Sequence, residues 1–313
     1  MTALVGTPSR IQIETGAFRT RVVPVLTVVL AILVIWYVAA VWLNTQFQRE
    51  LFATAGTDYS FLDLVNATLN QQRPVLPSPH QVVIEFWTAT FLTAPTSPRS
   101  LVYHAWVTFS ATAAGFVMGT SLGIALAAGI VHERTLEKSL MPWIVASQTI
   151  PILAVAPAIL IVGYNLLTGM GLSQDISRFV AKALISTYLS FFPVAVGMVK
   201  GLRSPEPIHL DLMRTYSANR FQVFEKLRWP AAIPFLFTSM KVGVAASLIG
   251  AIVGELPTGA SAGLGARLLS GSYYGQTAQI WAALLMASIL AAALIALVAL
   301  AERITVKAMG ARP

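Results

Sequence analysis

Hydrophobic and polar positions in this chain fall into long blocks rather than a short-period alternation. Apolar stretches with few or no charges recur along it, and about 20 such residues suffice for a helix to cross a bilayer. They place spans at about 24–43, 102–129, within 140–174, at 179–199, from Lys241 at an edge to Glu255, and at 280–301. The pattern predicts an all-α membrane protein of about six transmembrane helices. It divides the chain into a tail (1–21), a first span (22–43), a mixed outer segment (44–100), a core of five spans (101–303) and a second tail (304–313). The first apolar stretch is longer than a signal-peptide core and no small-residue cleavage site follows it, so it reads as a retained helix.

Local signals refine this outline. Ser78-Pro79, followed by Val82, Val83, Phe86 and Trp87, predicts an amphipathic helix on the membrane face. Gly115, Gly119 and Gly123 share one face of the second span, a stripe suited to close helix packing or to a hinge. His132 to Lys138 reads as a short inside loop, and Gln148, Pro151 and Pro157 predict a bent third span beside a pathway. Lys182, near the outer end of the fourth span, is expected to snorkel to the interface. Ser204-Pro205 predicts a helix over 205–216, and Asn219 with Gln222 a capping box that starts another, with a turn at Ser217 and Ala218. The stretch 255–279, rich in Gly, Ser and Thr, reads as irregular or partly re-entrant. This topology puts fifteen of the 21 lysines and arginines on one side, which makes both termini cytoplasmic.

Composition agrees: 56% of residues are hydrophobic and 11% charged, with a mean hydropathy of +0.71, too few charges to coat a soluble globule of 313 residues. The formal charge of +8 sits between apolar stretches rather than on one polar surface, so it reports topology and not nucleic-acid binding. There is no cysteine, hence no disulfide or thiolate chemistry, and His80, His104, His132 and His209 have no metal-ligand spacing. No Gly-x-x-x-x-Gly-Lys-Ser/Thr loop is present, and Gly263-Leu-Gly265 is a lone GxG without a strand before it.

Between the fourth and fifth spans lies DLMRTYSANRFQVFEKLRWPAAIP, residues 211–234, basic and rich in helix formers and aromatics. Aligned on Pro230, it resembles the EAA loop of bacterial ABC-importer permeases: Glu-Ala-Ala, three residues, Gly, nine residues, Ile, one residue, Leu-Pro. The matching positions are Asp211, Leu212, Met213, Ser217, Leu227, Trp229 and Pro230. LPSPHQVV, IPILAVAPAILIVGYN, VGMVKGLRSPEP and IVGELPTGASAGLGARLL follow the same order as in the nitrate/sulfonate/taurine branch, and the resemblance covers about 76–310. It implies a type I ABC-importer fold and a homodimer of this subunit in the bacterial inner membrane. It also implies two ATPase subunits, which bind ATP and Mg while this chain holds no cofactor, and an extracytoplasmic substrate-binding protein.

Carried over by position, the ATPase-coupling residues are Asp211, Leu212, Met213, Arg214, Tyr216, Ser217, Ala218, Phe221 and Phe224, within the loop 201–234. Met213 with Tyr216, and Phe221 with Phe224, give each short helix an apolar edge, for docking or for packing on the protein's own spans. Ser217 replaces the family Gly, at a cost in strain if that position needs a positive φ. Candidate pathway residues are Gln148, Asn165, Glu255, Thr258 and Ser261; Glu255 alternatively caps the Gly-rich turn behind it or pairs with Arg267. Tyr273 and Tyr274 suit an interfacial aromatic belt or a binding-protein contact. The resemblance makes the solute a small sulfonate-, nitrate- or taurine-like anion, or a pyrimidine-type heterocycle. The competing reading, a gradient-driven transporter or channel subunit, predicts intramembrane charges placed for ion coupling and an internal repeat.

Overall fold

The computed structural model describes residues 22–256 and 262–310. Among these, six helical stretches are long and apolar enough to cross a membrane: Val23–Ala55, Leu101–His132, Ile152–Gly169, Gln174–Leu202, Arg220–Glu255 and Thr277–Ala308. The helices are α1 (Val23–Ala55), α2 (Phe61–Leu69), α3 (Pro79–Trp87), α4 (Leu101–His132), α5 (Arg134–Ser147), α6 (Ile152–Gly169), α7 (Gln174–Leu202), α8 (Pro207–Thr215), α9 (Arg220–Val223), α10 (Trp229–Glu255), α11 (Leu264–Tyr273) and α12 (Thr277–Ala308). They form two compact units, one within 1–85 and 271–282, the other within 86–270 and 283–313.

In the first unit, α1 runs twelve residues beyond Leu43, where the first span was expected to end. Asn44 does not break it, because its buried amide serves the proline-rich segment alongside: Asn44 Nδ2 donates to Leu76 O (2.9 Å), and Val75 N donates to Asn44 Oδ1 (2.8 Å). Trp36 Nε1 donates to Pro77 O and Thr277 Oγ1 to Pro74 O. A segment that cannot hydrogen-bond as a helix is thus satisfied by side chains. Gln81, three residues on, accepts the Ser78 N–H at the start of α3, while the Ser78 hydroxyl donates to Leu69 O.

The second unit is centred on α7, with α4 and α10 packed against it. The glycine stripe makes the first contact possible. A Cβ added at Gly115 would lie 2.2 Å from Ser186 Cβ, and one at Gly119 would lie 2.1 Å from Ser190 Oγ and 2.9 Å from Thr187 O. From the other side Gly250 meets Ser186 in the same way. Small residues replace bulk because apolar burial gives helices little reason to associate in lipid, and contact area at close range does. Toward one end the seam widens into a core of Ile130, Met198, Leu202 and Leu236.

Three expectations are corrected here. The loop at 132–138 shrinks to Glu133, since α5 starts at Arg134. The third span is two helices rather than one bent helix: the chain leaves helical geometry between Ser147 and Ile152, with Pro151 extended (ψ 112°) as the N-cap of α6. The break is satisfied locally and by Tyr188, whose hydroxyl donates to Ser147 O at 2.8 Å. The stretch after Glu255, expected to be irregular or partly re-entrant, carries a ten-residue helix, α11, and so is not irregular throughout.

Gly119→Leu is expected to prevent the α4–α7 approach and destabilise the fold by about 3 kcal/mol or more. Size-exclusion profiles in mild detergent check this, with Gly119→Ala as the milder comparison.

Candidate functional site

The most tightly built polar cluster closes the turn after α10. Helix α11 begins with N–H groups that have no partner within the helix, and three side chains from elsewhere in the unit receive them. Gly263 N donates to His104 Nδ1 (2.9 Å), Leu264 N to Thr108 Oγ1 (2.8 Å) and Gly265 N to Glu255 Oε2 (2.9 Å). His104 Nε2 faces Pro98 O, which can only accept, so the ring is the neutral Nε2–H tautomer. The Thr108 hydroxyl donates to the Glu255 carboxylate, and Lys182 Nζ stands 3.5 Å from Glu255 Oε1. Glu255 is fully buried and Lys182 is 8% exposed.

Glu255 is therefore the cap of the Gly-rich turn, one of the two structural roles the sequence offers, and the cation at its carboxylate is Lys182 rather than Arg267. The snorkelling expected of Lys182 is corrected for the same reason: a buried carboxylate one helix away holds the ammonium inside. GxG here is a close-approach motif. A Cβ at Gly263 (φ +122°) would fall 2.1 Å from the Glu255 carboxyl carbon, and one at Gly265 would fall 2.3 Å from Ile252 O. Sequence reasoning missed His104 and Thr108, although two polar residues at i and i+4 in an uncharged span are a readable signal.

The remaining candidate pathway residues do not converge. Gln148 ends α5, exposed, at a groove of about 600 Å³ between α7 and α10 that also meets Pro193, Lys200 and Thr238. Asn165, exposed on α6, lines a separate pocket of about 570 Å³ with Lys182. Thr258 and Ser261 lie outside the described residues, as do Arg10, Arg19, Arg21 and Arg312 of the tails. Tyr273 and Tyr274 are exposed.

The loop at the other end of α7 is a helix, a turn and a helix, with shifted bounds. Helix α8 starts at Pro207, with Glu206 at the N-cap, instead of at Pro205, because the Ser204 hydroxyl turns back to Gly201 O. The capping box forms: Gln222 N donates to Asn219 Oδ1 (2.8 Å) and Asn219 N to Gln222 Oε1 (2.9 Å). The second helix is a single turn, α9, that passes through a π-helical turn (Phe224–Arg228) into α10. Ser217 has φ +53°, the positive value that makes glycine the easier residue there. Asp211 and Arg214 pair at 2.9 Å on the exposed face. Leu212, Tyr216 and Phe221 are exposed, Met213 and Ala218 half-buried, and Phe224 lies between the rings of His132 and Trp229. Ile208, not singled out in the sequence, is 70% exposed and extends the edge through Leu212 to Tyr216 at i, i+4 and i+8. Beside the loop Arg203 grips Glu137 by two 2.9 Å contacts, which hold that carboxyl below its ordinary range.

Six spans, a small-residue seam and a helical loop between two spans define a multi-pass membrane permease. The chain belongs to the family described as the binding-protein-dependent transport system inner membrane component, whose model matches residues 119–310. It is 32% identical over 233 residues to a riboflavin transport system permease of Chloroflexus aurantiacus, covering 74% of this chain and 80% of that protein. It is 31% identical over 202 residues to a formylaminopyrimidine transport permease of Halalkalibacterium halodurans (64% and 72%). A putative aliphatic sulfonates transport permease of Bacillus subtilis is 25% identical over 242 residues (77% and 79%). The chain is thus the permease component of an ABC importer and not an enzyme, and its family works with a separate ATPase and a substrate-binding protein.

Lys182→Met leaves the Glu255 carboxylate buried without its cation and is expected to cost about 3–5 kcal/mol. Adding Glu255→Gln should restore most of the loss, read as thermal unfolding midpoints in detergent. At the loop, Ser217→Gly is expected to preserve or raise the midpoint, whereas Ser217→Val lowers stability by about 1–2 kcal/mol.

Proposed function

We propose that this subunit forms the translocation route for a small solute and takes its energy from ATPase subunits docked on the 205–230 loop. The observation that carries this reading is the apolar edge of Ile208, Leu212, Tyr216 and Phe221, solvent-exposed on a capped helix-turn-helix between two spans. An edge so exposed, on a loop otherwise polar and basic, suits a partner's groove better than the chain's own core. Asp211, Met213, Arg214, Ser217 and Ala218 shape the same surface, and Phe224 anchors it to α4 and α10 instead of meeting the partner. ATP and Mg bind on the ATPase pair, and this chain carries no cofactor.

The assembly is a homodimer of this subunit with two ATPases and an extracytoplasmic binding protein, in the bacterial inner membrane with both termini cytoplasmic. Closure of the ATPase pair on ATP shifts the spans between inward- and outward-open states, which requires the loop contacts to differ between them. The relatives' named solutes support two classes, a planar heterocycle or a small sulfonate- or nitrate-like anion.

The test is a pull-down from mild detergent, with co-purifying proteins identified by mass spectrometry. Wild type is expected to retain an ATPase, and the double variant Tyr216→Asp with Phe221→Asp to lose at least nine-tenths of it while keeping its own size-exclusion profile. Solute transport by the chain alone in liposomes, driven by an ion gradient, would instead support the gradient-driven reading.

A further inference from the structure

The pocket beside the Lys182–Glu255 pair decides between the two solute classes. It opens between α4, α6 and α7, has a volume of about 570 Å³, and so falls in the size range of small-molecule sites. Its walls carry Tyr103 and Trp106 from α4, Tyr164 from α6 and Phe179 from α7. Two further groups give it polar character. Lys182, 8% exposed, and Asn165, exposed on α6, both line it.

Charge argues against a sulfonate- or nitrate-like anion. Such an ion is favoured by an unmatched cation, and here the buried cation, Lys182, already has a carboxylate partner. Lys182 faces Glu255 at 3.5 Å, while Arg178 lines the pocket together with Asp175 and lies 5.9 Å from the centre of the Tyr164 ring. The formal charge of the four groups is zero. Four aromatic side chains with a neutralised ammonium instead suit a flat, uncharged ring system. Its faces stack on the aromatics, and its carbonyl or ring-nitrogen acceptors meet the Lys182 and Asn165 N–H donors. An ammonium has three hydrogens, and the carboxylate contact leaves Lys182 capacity to donate to a solute as well.

We propose that this pocket is a solute site of the permease and that it takes planar heteroaromatic molecules bearing carbonyl or ring-nitrogen acceptors. The proposal rests on the importer reading above and narrows it to one solute class. Trp106, 66% exposed on the pocket wall, supplies a reporter.

The full-length chain in lipid nanodiscs is titrated with lumichrome, a flat tricyclic dione, and with 1-propanesulfonate, by tryptophan fluorescence and by equilibrium dialysis. Lumichrome is expected to bind saturably and propanesulfonate at least tenfold more weakly. Trp106→Phe should remove most of the fluorescence change, while Tyr164→Ala and Asn165→Leu each weaken lumichrome binding at least tenfold by dialysis. The double variant Lys182→Gln with Glu255→Gln removes both buried charges together and should also weaken it. Equal binding of the two probes, or lumichrome binding untouched by Tyr164→Ala and Asn165→Leu in folded protein, overturns the proposal. Neither result bears on ATPase capture by the loop, so this inference can fail while the importer reading stands. Failure of the pull-down would refute the importer reading whatever the pocket binds.

Discussion

A chain that reverses direction at the end of an apolar helix must find acceptors for its freed N–H groups within the protein, because lipid offers none. Here that constraint is met by three side chains, His104, Thr108 and Glu255, with the Glu255 carboxylate joining most of the cluster. Glu255 ends α10, receives the Gly265 N–H and the Thr108 hydroxyl, and draws Lys182 inward from α7. The arrangement fixes α4, α7, α10 and the start of α11 against one another through groups with no solvent alternative. It also explains the glycines: with the acceptor at the turn itself, no Cβ fits at positions 263 and 265.

The seam of α4, α7 and α10 works by a complementary rule. Its hydroxyls mainly serve their own helices: Ser190 donates to Ser186 O, Thr187 to Ala183 O, and Thr112 to Thr108 O. With side-chain polarity returned to the local backbone, the helix faces meet as nearly apolar, small-residue surfaces. Between-helix bonds are few, Ser247 to Thr112 O among them. Packing at short range holds the trio together, and the Glu255 cluster sets its register at one end.

Much of this was legible in the residues. Charge-free stretches gave the number of spans, the Gly115, Gly119 and Gly123 spacing gave the packing face, and Asn219 with Gln222 gave a cap that the structure forms. What escaped depended on partners distant in sequence. Lys182 reads as a snorkelling lysine until Glu255, 73 positions away, is known to lie beside it. Asn44 reads as the end of a span because its backbone partners, the acceptor Leu76 O and the donor Val75 N, are invisible to a local pattern. Pro151 was read as a bend, but proline removes a donor without saying whether the helix continues, and Tyr188 decided for a break. The loop's outward edge was half legible: Tyr216 and Phe221 stood out as aromatics, whereas Ile208 needed the i, i+4, i+8 series.

Helix α5 is fastened to α7 at both ends, by the Glu137–Arg203 grip near its start and by the Tyr188 hydroxyl on Ser147 O at its finish. Its 14 residues, about 21 Å at the rise of an α-helix, thus form a strut braced on a single beam. A displacement of α7 would therefore take α5 with it at both attachments, up to the 148–151 break from which α6 begins.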